Sequence, residues 1–286
     1  MPPSPTHFRR FAAIDWSGAK GARHPGIAIG VCDSGDAAPV LVSPPGGLWS
    51  RAEVLDWVRA HADIPMLIGF DFSFSAPFLA RGAHLPGETA STTARQLWAH
   101  VDAASDETDL GAAGFLEARR GTHFYLGAAD GTKADFLHWR ACEVAHDGST
   151  KPSTVFDAIG AAQVAKASFA GMRLLHRLDG RVPVWPFDPV PDRGAVVVEI
   201  YTAIAARAAG LRKGRSKLRD ATALDAGLAA LGSRPHAPLE RYTDHATDAL
   251  LTAAWLRRAA NDATLWHPPA MTREIAVSEG WTFGIA

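Results

Sequence analysis

Cysteine is nearly absent from this sequence. Cys32 and Cys142 are the only two in 286 residues, too few for a disulfide framework or a structural zinc site. Two thiols suit a protein kept in a reducing compartment, so we predict a cytoplasmic location and no disulfide partner. We expect both side chains to be buried, because a free cysteine behaves as a small hydrophobic residue.

Long apolar runs and an excess of charge of one sign are also missing. No apolar run approaches the roughly 18 residues of a transmembrane helix, and the N-terminal MPPSPTHFRR lacks the apolar segment of a signal peptide. Lys and Arg total 29 against 30 Asp and Glu, so the formal net charge is -1. A protein that coats nucleic acid nonspecifically carries a basic field instead. Contact with a nucleic acid or a nucleotide therefore requires a local patch.

Apolar patterning predicts an α/β fold. The hydrophobic content of 47% excludes a wholly disordered chain. Short apolar runs bounded by turn residues predict strands, and apolar residues at helical spacing predict helices. The predicted strands cover residues 8–17, 26–33, 39–43, 66–73 and 194–200. The predicted helices cover residues 50–61, 94–104, 158–178, 201–209, 217–231 and 243–259.

Capping residues mark two of these helices. Ser50 and Glu53 form a capping box before the first helix, and Thr154 and Asp157 form another before the helix over 158–178. The closing EGWTFGI is either an edge strand or a packing tail.

The order of elements predicts one mixed sheet. Three strands in a meander are followed by a helix and a further strand. We predict a loose tail over residues 1–8 and a main domain formed by residues 9–75 and 151–286. Residues 76–150 are predicted to be an inserted cap over one end of the sheet, with a small hairpin as one possible form. Long insertions in compact domains are often functional lids.

Acidic residues end three of the predicted strands. Asp15, Asp71 and Glu199 each follow four or more apolar residues. Carboxylates that converge at one edge repel one another, and one or two divalent cations remove that repulsion. Carboxylate oxygens suit Mg²⁺ or Mn²⁺, which activate water and stabilise a leaving oxygen. For any single acid a solvated strand end is the better explanation, whereas the three together favour a site.

The helix predicted from Thr243 adds further polar groups. In TDHATDALLTAAWLRR, His245 and Asp248 are three residues apart and share a face. Small alanines on the neighbouring face permit a close approach to the sheet. An alternative reading makes Asp244 the N-cap and Asp248 a solvated acid of the first turn.

Two basic sets are candidates for phosphate binding. The run LRKGRSKLR contains Lys213 and Lys217, and the insertion contains Arg119, Arg120, Lys133 and Arg140. In both places a solvated surface is the better explanation of the charges.

The sequence resembles the ribonuclease H-like superfamily in three short motifs. These are AIDWS on the first strand, IGFD on the strand after the first helix, and His245-Ala-Thr-Asp248-Ala249 at the start of a late helix. The last is similar to the H-x-x-D-A signature of RuvC-type resolvases. More closely, AAIDWSGAK, IGFDFSFSAP, VVVEIYTA, DHATDALLTA and EGWTFG look like the DUF 429 family of predicted nucleases. The resemblance spans about residues 9–286.

This resemblance implies an α/β fold of the ribonuclease H-like type, a mixed five-stranded sheet flanked by helices with an inserted cap. It implies that Asp15 bridges two metal ions and that Asp71 and Asp248 complete the cage. His245 would orient water or the leaving group, and Glu199 would be a ligand or a partner of the ligands. RuvC-type enzymes usually have Glu where Asp71 stands, although ribonuclease H proper has Asp there.

We therefore predict a divalent-metal-dependent phosphodiester hydrolase of the nuclease type, with Mg²⁺ or Mn²⁺ as cofactor. Ser17, Lys213 and Lys217 are predicted to contact the substrate. Two alternatives remain. One is an ATP-dependent phosphotransferase of the related actin and sugar-kinase core, because the turn from Gly18 to Gly26 resembles a phosphate-cradling hairpin. The other is a non-catalytic binding protein on the same fold.

Overall fold

A computed structural model describes residues 7–88, 91–145, 152–160, 163–212 and 217–286. The strands are β1 (Arg10–Asp15), β2 (Ala28–Asp33), β3 (Val40–Leu41), β4 (Met66–Phe70) and β5 (Val196–Glu199). The helices of the first half are α1 (Arg51–Ala60), α2 (Ala94–Ala103), α3 (Ala113–Glu117) and α4 (Ala141–Ala145). Those of the second half are α5 (Ala165–Arg177), α6 (Thr202–Ala208), α7 (Ala221–Ala230), α8 (Asp244–Ala259), α9 (Ala263–Trp266) and α10 (Arg273–Ser278).

The strands form one five-stranded sheet in the order β3-β2-β1-β4-β5. The first three strands pair antiparallel, whereas β4 is parallel to β1 and β5 is parallel to β4. The predicted mixed five-stranded α/β sheet is thereby confirmed. Because β1, β4 and β5 run in the same direction, their carboxyl ends lie at one edge of the sheet.

Helices cover both faces of the sheet. Ala12 and Ile14 of β1 pack with α1, α2 and α5, while Phe11 and Ala13 pack with α6, α7 and α8. Alternate residues of a strand point to opposite faces, so an apolar strand without polar interruption serves both cores. The predicted continuous apolar runs of β1 and β4 are explained by this double burial.

Helix α8 lies unusually close to the sheet. It packs across β1 and β2, and a Cβ placed on Gly30 would lie only 2.5 Å from the carbonyl oxygen of Ala249. The glycine of β2 and the small alanines of α8 make this approach possible. The first turns of α8 are therefore held beside the end of β1.

The predicted insertion is built into the cores of the protein, mostly into the one that contains Ile14, while Cys142 lies in the other. In the described part of residues 76–150 the chain forms α2, α3, α4 and two short 3₁₀ turns, and it contains no strand. A single bridge joins Arg120 and Phe124 in place of the hairpin. Leu97 and Phe115 are fully buried in the same core as Ile14 of β1.

The helix predicted over 158–178 starts later than its supposed capping box. Helix α5 begins at Ala165, and the carbonyl of Asp157 accepts hydrogen bonds from the backbone of Val164 and Ala165. Gly160, with a φ of 101°, has a backbone conformation that an α-helix excludes. The prediction of a Thr154 capping box is therefore wrong.

Both ends of the described chain are packed. Residues 1–6 of the predicted tail lie outside the described residues, but Phe8 is buried and stacks on Trp266 at a centroid distance of 5.9 Å. At the other end, Trp281, Phe283 and Ile285 are buried without forming a strand, so EGWTFGI is a packing tail.

Both cysteines are free and buried. No helix in the described part of the chain is long and apolar enough to cross a membrane.

Candidate metal centre

Two of the predicted acids lie side by side at the ends of neighbouring strands. Asp15 is the last residue of β1, and Asp71 directly follows β4. The backbone N–H of Asp71 donates to the carbonyl of Ile14 at 3.1 Å, which continues the parallel pairing to this point. Only 12% of the Asp15 side chain is exposed. The apolar strands thus place both carboxylates at the edge of the sheet.

The first turn of α8 brings a histidine to Asp15. Thr243 is the N-cap, since its side chain accepts from the backbone N–H of Ala246 at 3.2 Å. Asp244 is therefore the first helical residue, and the alternative that made it the N-cap is wrong. Nδ1 of His245 donates to Oδ1 of Asp15 at 3.1 Å. This hydrogen bond raises the pKa of His245 above its ordinary value.

Gly26, which the sequence analysis gave only as the end of a turn, makes room for His245. A Cβ on Gly26 would lie 3.4 Å from Nε2 of His245 and 3.3 Å from the hydroxyl of Ser17. The hydroxyl of Ser17 therefore lies near the imidazole of His245, and its contact with a substrate stays a prediction. Its hydroxyl accepts from the backbone N–H of Ala19 at 3.2 Å. A turn glycine two residues before a strand carries no signal that distinguishes this role.

Lys217 lies among the carboxylates of α8. Its Nζ is 3.3 Å from Oδ2 of Asp248 and 3.4 Å from Oδ2 of Asp244. The helix predicted from residue 217 begins at Ala221, which leaves Lys217 on the loop before it. Lys213 lies outside the described residues.

The other predicted cations already have carboxylate partners. These ion pairs are Arg119–Glu88, Arg120–Asp130, Lys133–Asp157 and Arg140–Glu143.

Burial and mutual repulsion shape the acidity of the three carboxyls. Burial, together with the charges of Asp15 and Asp248, raises the pKa of Asp71 to about 8. Burial raises the pKa of Asp248 to about 6 although Lys217 opposes the shift. Burial also raises the pKa of Asp15, against the hydrogen bond from His245. The three carboxylates therefore share one neighbourhood in which negative charge is poorly compensated.

Helix α6 supplies a further group that the sequence analysis missed. The hydroxyl of Thr202, the first residue of this helix, donates to Oδ2 of Asp71 at 3.3 Å. Burial raises the pKa of the preceding Tyr201, and the charge of Asp71 adds to that effect. The only hint in the sequence is the position of Tyr201 and Thr202 directly after the strand that ends in Glu199.

Glu199 does not join this centre. Its two oxygens accept from the guanidinium of Arg140 at 2.5 and 2.8 Å, from the backbone of Phe74 at 2.7 Å, and from the hydroxyl of Thr282 at 2.5 Å. Arg140 is fully buried and also pairs with Glu143 at 2.9 Å. The prediction that Glu199 binds a metal is therefore wrong, and Arg140 is not available to a phosphate.

The register of the sheet explains where Glu199 points. Glu199 is paired with Phe70, which is paired with Ile14, so all three side chains point to the face covered by α1 and α5. Asp15 and Asp71 are each one residue farther along and point to the face covered by α8. A shift of one residue reverses the face of a side chain.

No protein-family model, curated protein or solved structure matches this chain. The resemblance to the DUF 429 family stays a prediction.

Asp15, Asp71 and Asp248 are ligands of the chemical type that a hard divalent cation prefers. Among the described residues, no group of three or more His, Cys, Asp or Glu side chains is arranged to hold a metal ion. Each carboxylate is instead turned to a partner: Asp15 to His245, Asp71 to Thr202, and Asp248 to Lys217. Carboxylate oxygens are the ligands that Mg²⁺ and Mn²⁺ prefer. A divalent cation would also neutralise the repulsion between these buried negative charges. The oxygen donors therefore match the cation in chemistry, although their present arrangement does not hold one.

Proposed function

We propose that this chain is a divalent-metal-dependent phosphodiester hydrolase of the nuclease type on a ribonuclease H-like fold. The observation that carries the proposal is that three carboxylates from three elements lie near enough at one edge of the sheet for their charges to act on one another. Asp15 and Asp71 come from neighbouring strand ends, and Asp248 comes from the second turn of α8. Acids so far apart in the chain and so poorly compensated suggest a functional site rather than a structural one.

The motifs that carry the resemblance support the same proposal. AIDWS lies at the end of the first strand of the meander, and IGFD lies at the end of the strand after the first helix. His245 and Asp248 lie in the first two turns of a late helix that packs on β1. These are the places that the resemblance assigns to the motifs.

Asp15, Asp71 and Asp248 are the residues that would hold Mg²⁺ or Mn²⁺. When bound, the cation neutralises phosphate oxygens and stabilises charge on the leaving oxygen. The hydrogen bond to Asp15 orients the imidazole of His245, whose side chain is 45% exposed, and Nε2 of the protonated ring can donate a proton to a leaving oxygen. Lys217 is the nearest described cation to Asp248 and, when released, can contact a phosphate.

The turn that suggested a phosphotransferase has a packing role. A Cβ on Gly18 would overlap the backbone of Ala167 in α5. The guanidinium of Arg51 donates to the carbonyls of Ser17 and Ala19 at 3.0 and 2.6 Å, which fixes the turn against α1. The contact with α5 explains why residue 18 is a glycine, so we do not propose phosphate transfer from ATP.

Removal of single carboxylates tests the proposal. Asp15→Asn and Asp248→Asn preserve size and remove charge, so we expect each to lower Mn²⁺-dependent hydrolysis of bis(p-nitrophenyl) phosphate by about 100-fold or more. Calorimetry should show weaker Mn²⁺ binding, while circular dichroism shows an unchanged fold. Asp36→Asn is the matched control, because Asp36 is exposed and pairs with Arg234.

Two results would overturn the proposal. One is the absence of divalent-ion binding by the wild-type protein. The other is full activity in Asp15→Asn or Asp248→Asn, which would favour a non-catalytic binding protein or a different site.

A further inference from the structure

A cavity of about 520 Å³ opens beside the carboxylates. It lies between the β2–β3 side of the sheet and the segment over residues 238–246 that leads into α8. We call it the edge pocket. The lining residues used here are Leu41, Val42, Leu48, Pro238, Leu239 and His245.

The edge pocket lies at the carboxylate end of the sheet. Ala28, at the start of β2, lines it and is paired with Asp15 at the end of β1. His245 lines it too, while Nδ1 of the same ring is bonded to Asp15. One imidazole thus separates the carboxylates from the cavity. A phosphate held at the carboxylates has the edge pocket within reach of one of its substituents.

The walls of the edge pocket are mostly apolar with a polar rim. Leu41, Val42, Leu48, Pro238 and Leu239 supply apolar surface, and 42% of Leu48 is exposed. Thr243, Glu240 and Arg241 supply the hydroxyl and charged groups. Small-molecule pockets typically measure about 300–1,000 Å³ and combine apolar walls with a few polar groups.

We propose that the edge pocket binds a planar aromatic group carried by the phosphate ester. This inference rests on the proposed function and narrows the substrate to esters with an aryl group or a nucleobase, as against small alkyl phosphates. Apolar walls favour a ring over a charged or strongly hydrated substituent, because burial of polar groups without partners is costly. The rim groups can bond to polar atoms at the edge of such a ring.

A larger cavity is less suitable for this role. It measures about 740 Å³ and is lined by His7, Trp185, Phe187 and Trp266. His7 precedes β1, whereas Asp15 ends it, so the larger cavity lies at the opposite end of the sheet. A phosphate at the carboxylates cannot extend into it.

Two phosphonates test the proposal by binding alone. Phenylphosphonate and methylphosphonate share a head group and resist hydrolysis, because carbon is bonded directly to phosphorus. With Mn²⁺ present, we expect calorimetry to show that the wild-type protein binds the phenyl compound about tenfold more tightly. Leu48→Ser should abolish this preference. Leu79→Ser is the matched control, because Leu79 is exposed to a similar 39% and does not line the edge pocket.

A third ligand identifies the source of the ring. An acyclic adenine phosphonate that binds more tightly than phenylphosphonate supports the proposal with a nucleobase as the occupant. If the adenine phosphonate binds no better than phenylphosphonate, the result supports the proposal with a simple aryl group as the occupant.

The outcomes separate this inference from the proposed function. Equal affinities for the phenyl and methyl compounds, or a phenyl preference that survives Leu48→Ser, would overturn the proposed role of the edge pocket. In either case, Mn²⁺-dependent binding of both compounds would still support the metal centre. A phenyl preference that is lost in Leu48→Ser but does not depend on Mn²⁺ supports the pocket and counts against the metal centre. Absence of binding by either compound overturns the inference.

Discussion

Lys217 is the cation that partly neutralises the charge of the carboxylates at this centre. Its ammonium pairs with Asp248 and Asp244, and its charge also lowers the pKa of Asp15. Although burial opposes the shift, Asp248 and Asp244 raise the pKa of Lys217 itself. Without a metal ion, this side chain supplies part of the positive charge that a divalent cation would bring. A metal ion bound by these carboxylates would therefore compete with Lys217 for the same oxygens.

Replacement of Lys217 should favour metal binding. Lys217→Met keeps the length of the side chain and removes the competing charge, so we expect calorimetric Mn²⁺ affinity to rise roughly five- to tenfold. Arg219→Met is the control, because Arg219 pairs with Asp244 and not with Asp248. An unchanged or lower affinity in Lys217→Met would show that the lysine does not compete with the ion.

Asp71 should make the metal-free protein sensitive to pH. Its pKa of about 8 lies above the unfolded value of 3.8, so the folded state keeps the proton to higher pH. The raised pKa of Asp71 therefore contributes to the stability of the fold fully below about pH 4, and this contribution is lost as pH rises through about 8. In a chelating buffer, Asp71→Asn should therefore raise the melting temperature at pH 8 by an amount on the order of 5 °C, with a smaller effect at pH 5.

Melting curves across this pH range test the assignment. Asp36→Asn, an exposed acid, should follow the wild-type slope, and Mn²⁺ should reduce the wild-type loss of stability at high pH. Equal slopes for Asp71→Asn and the wild type would mean that Asp71 does not hold the proton.

At the scale of elements, the contact between α8 and the sheet decides whether the centre forms. Gly30 of β2 faces the backbone of Ala249, and the same helix carries Asp248 at the preceding residue and His245 one turn earlier. The distance between α8 and the sheet is set by the backbone of Ala249 and by the absence of a side chain at Gly30. The side-chain volume at position 30 should therefore affect the centre, although Gly30 is not one of the proposed metal ligands.

One methyl group at Gly30 should move α8. A Cβ there would lie 2.5 Å from Ala249 O, so we expect Gly30→Ala to destabilise the fold by about 2 kcal/mol and to weaken Mn²⁺ binding. Urea unfolding and calorimetry measure the two effects. In Gly35→Ala, where a Cβ would meet nothing within 4 Å, the cost arises only from its φ of 80° and Mn²⁺ affinity should be unchanged. Normal Mn²⁺ binding by Gly30→Ala would show that the helix position does not control the centre.

At the scale of the whole molecule, a second buried charge cluster joins distant parts of the chain. Arg140 precedes α4 in the insertion and binds Glu199 of β5, whose carboxylate also accepts from Thr282 near the C-terminus. Glu279 accepts from the backbone of Phe78 and Ala141 at 2.7 and 2.6 Å. The insertion, the sheet and the C-terminal segment are thus fastened to one another through ionic groups with little exposure to water.

Glu199 should therefore matter for stability and not for metal binding. Glu199→Gln leaves the buried Arg140 without part of its compensation, so we expect a loss of about 3 kcal/mol in urea unfolding. The Mn²⁺ affinity of the folded protein should remain at the wild-type value. Asp15→Asn should show the reverse pattern, and a loss of Mn²⁺ binding in Glu199→Gln would restore this residue to the metal centre.

Local patterns were sufficient for much of the fold and for part of the site. The apolar runs that end in Asp15 and Asp71 identified two strand ends, because a strand buried on both faces has a recognisable composition. The spacing of His245 and Asp248 placed both on one helix face, because a helix repeats every 3.6 residues. The Thr154 capping box failed because Gly160, six residues later, interrupts the helix that it was expected to start.

By itself the sequence determined which segments are apolar, where they end, and which acids stand at those ends. Only the tertiary structure decided which acids meet, since that depends on strand register, on the distance of α8 from the sheet, and on cations from remote segments. Glu199 has the same local pattern as Asp15, yet the pairing of β5 with β4 turns it to the opposite face and Arg140 neutralises it there. Lys217 reaches the centre from a loop about 30 residues before Asp248, and contacts between residues so far apart leave no periodic trace in a single sequence.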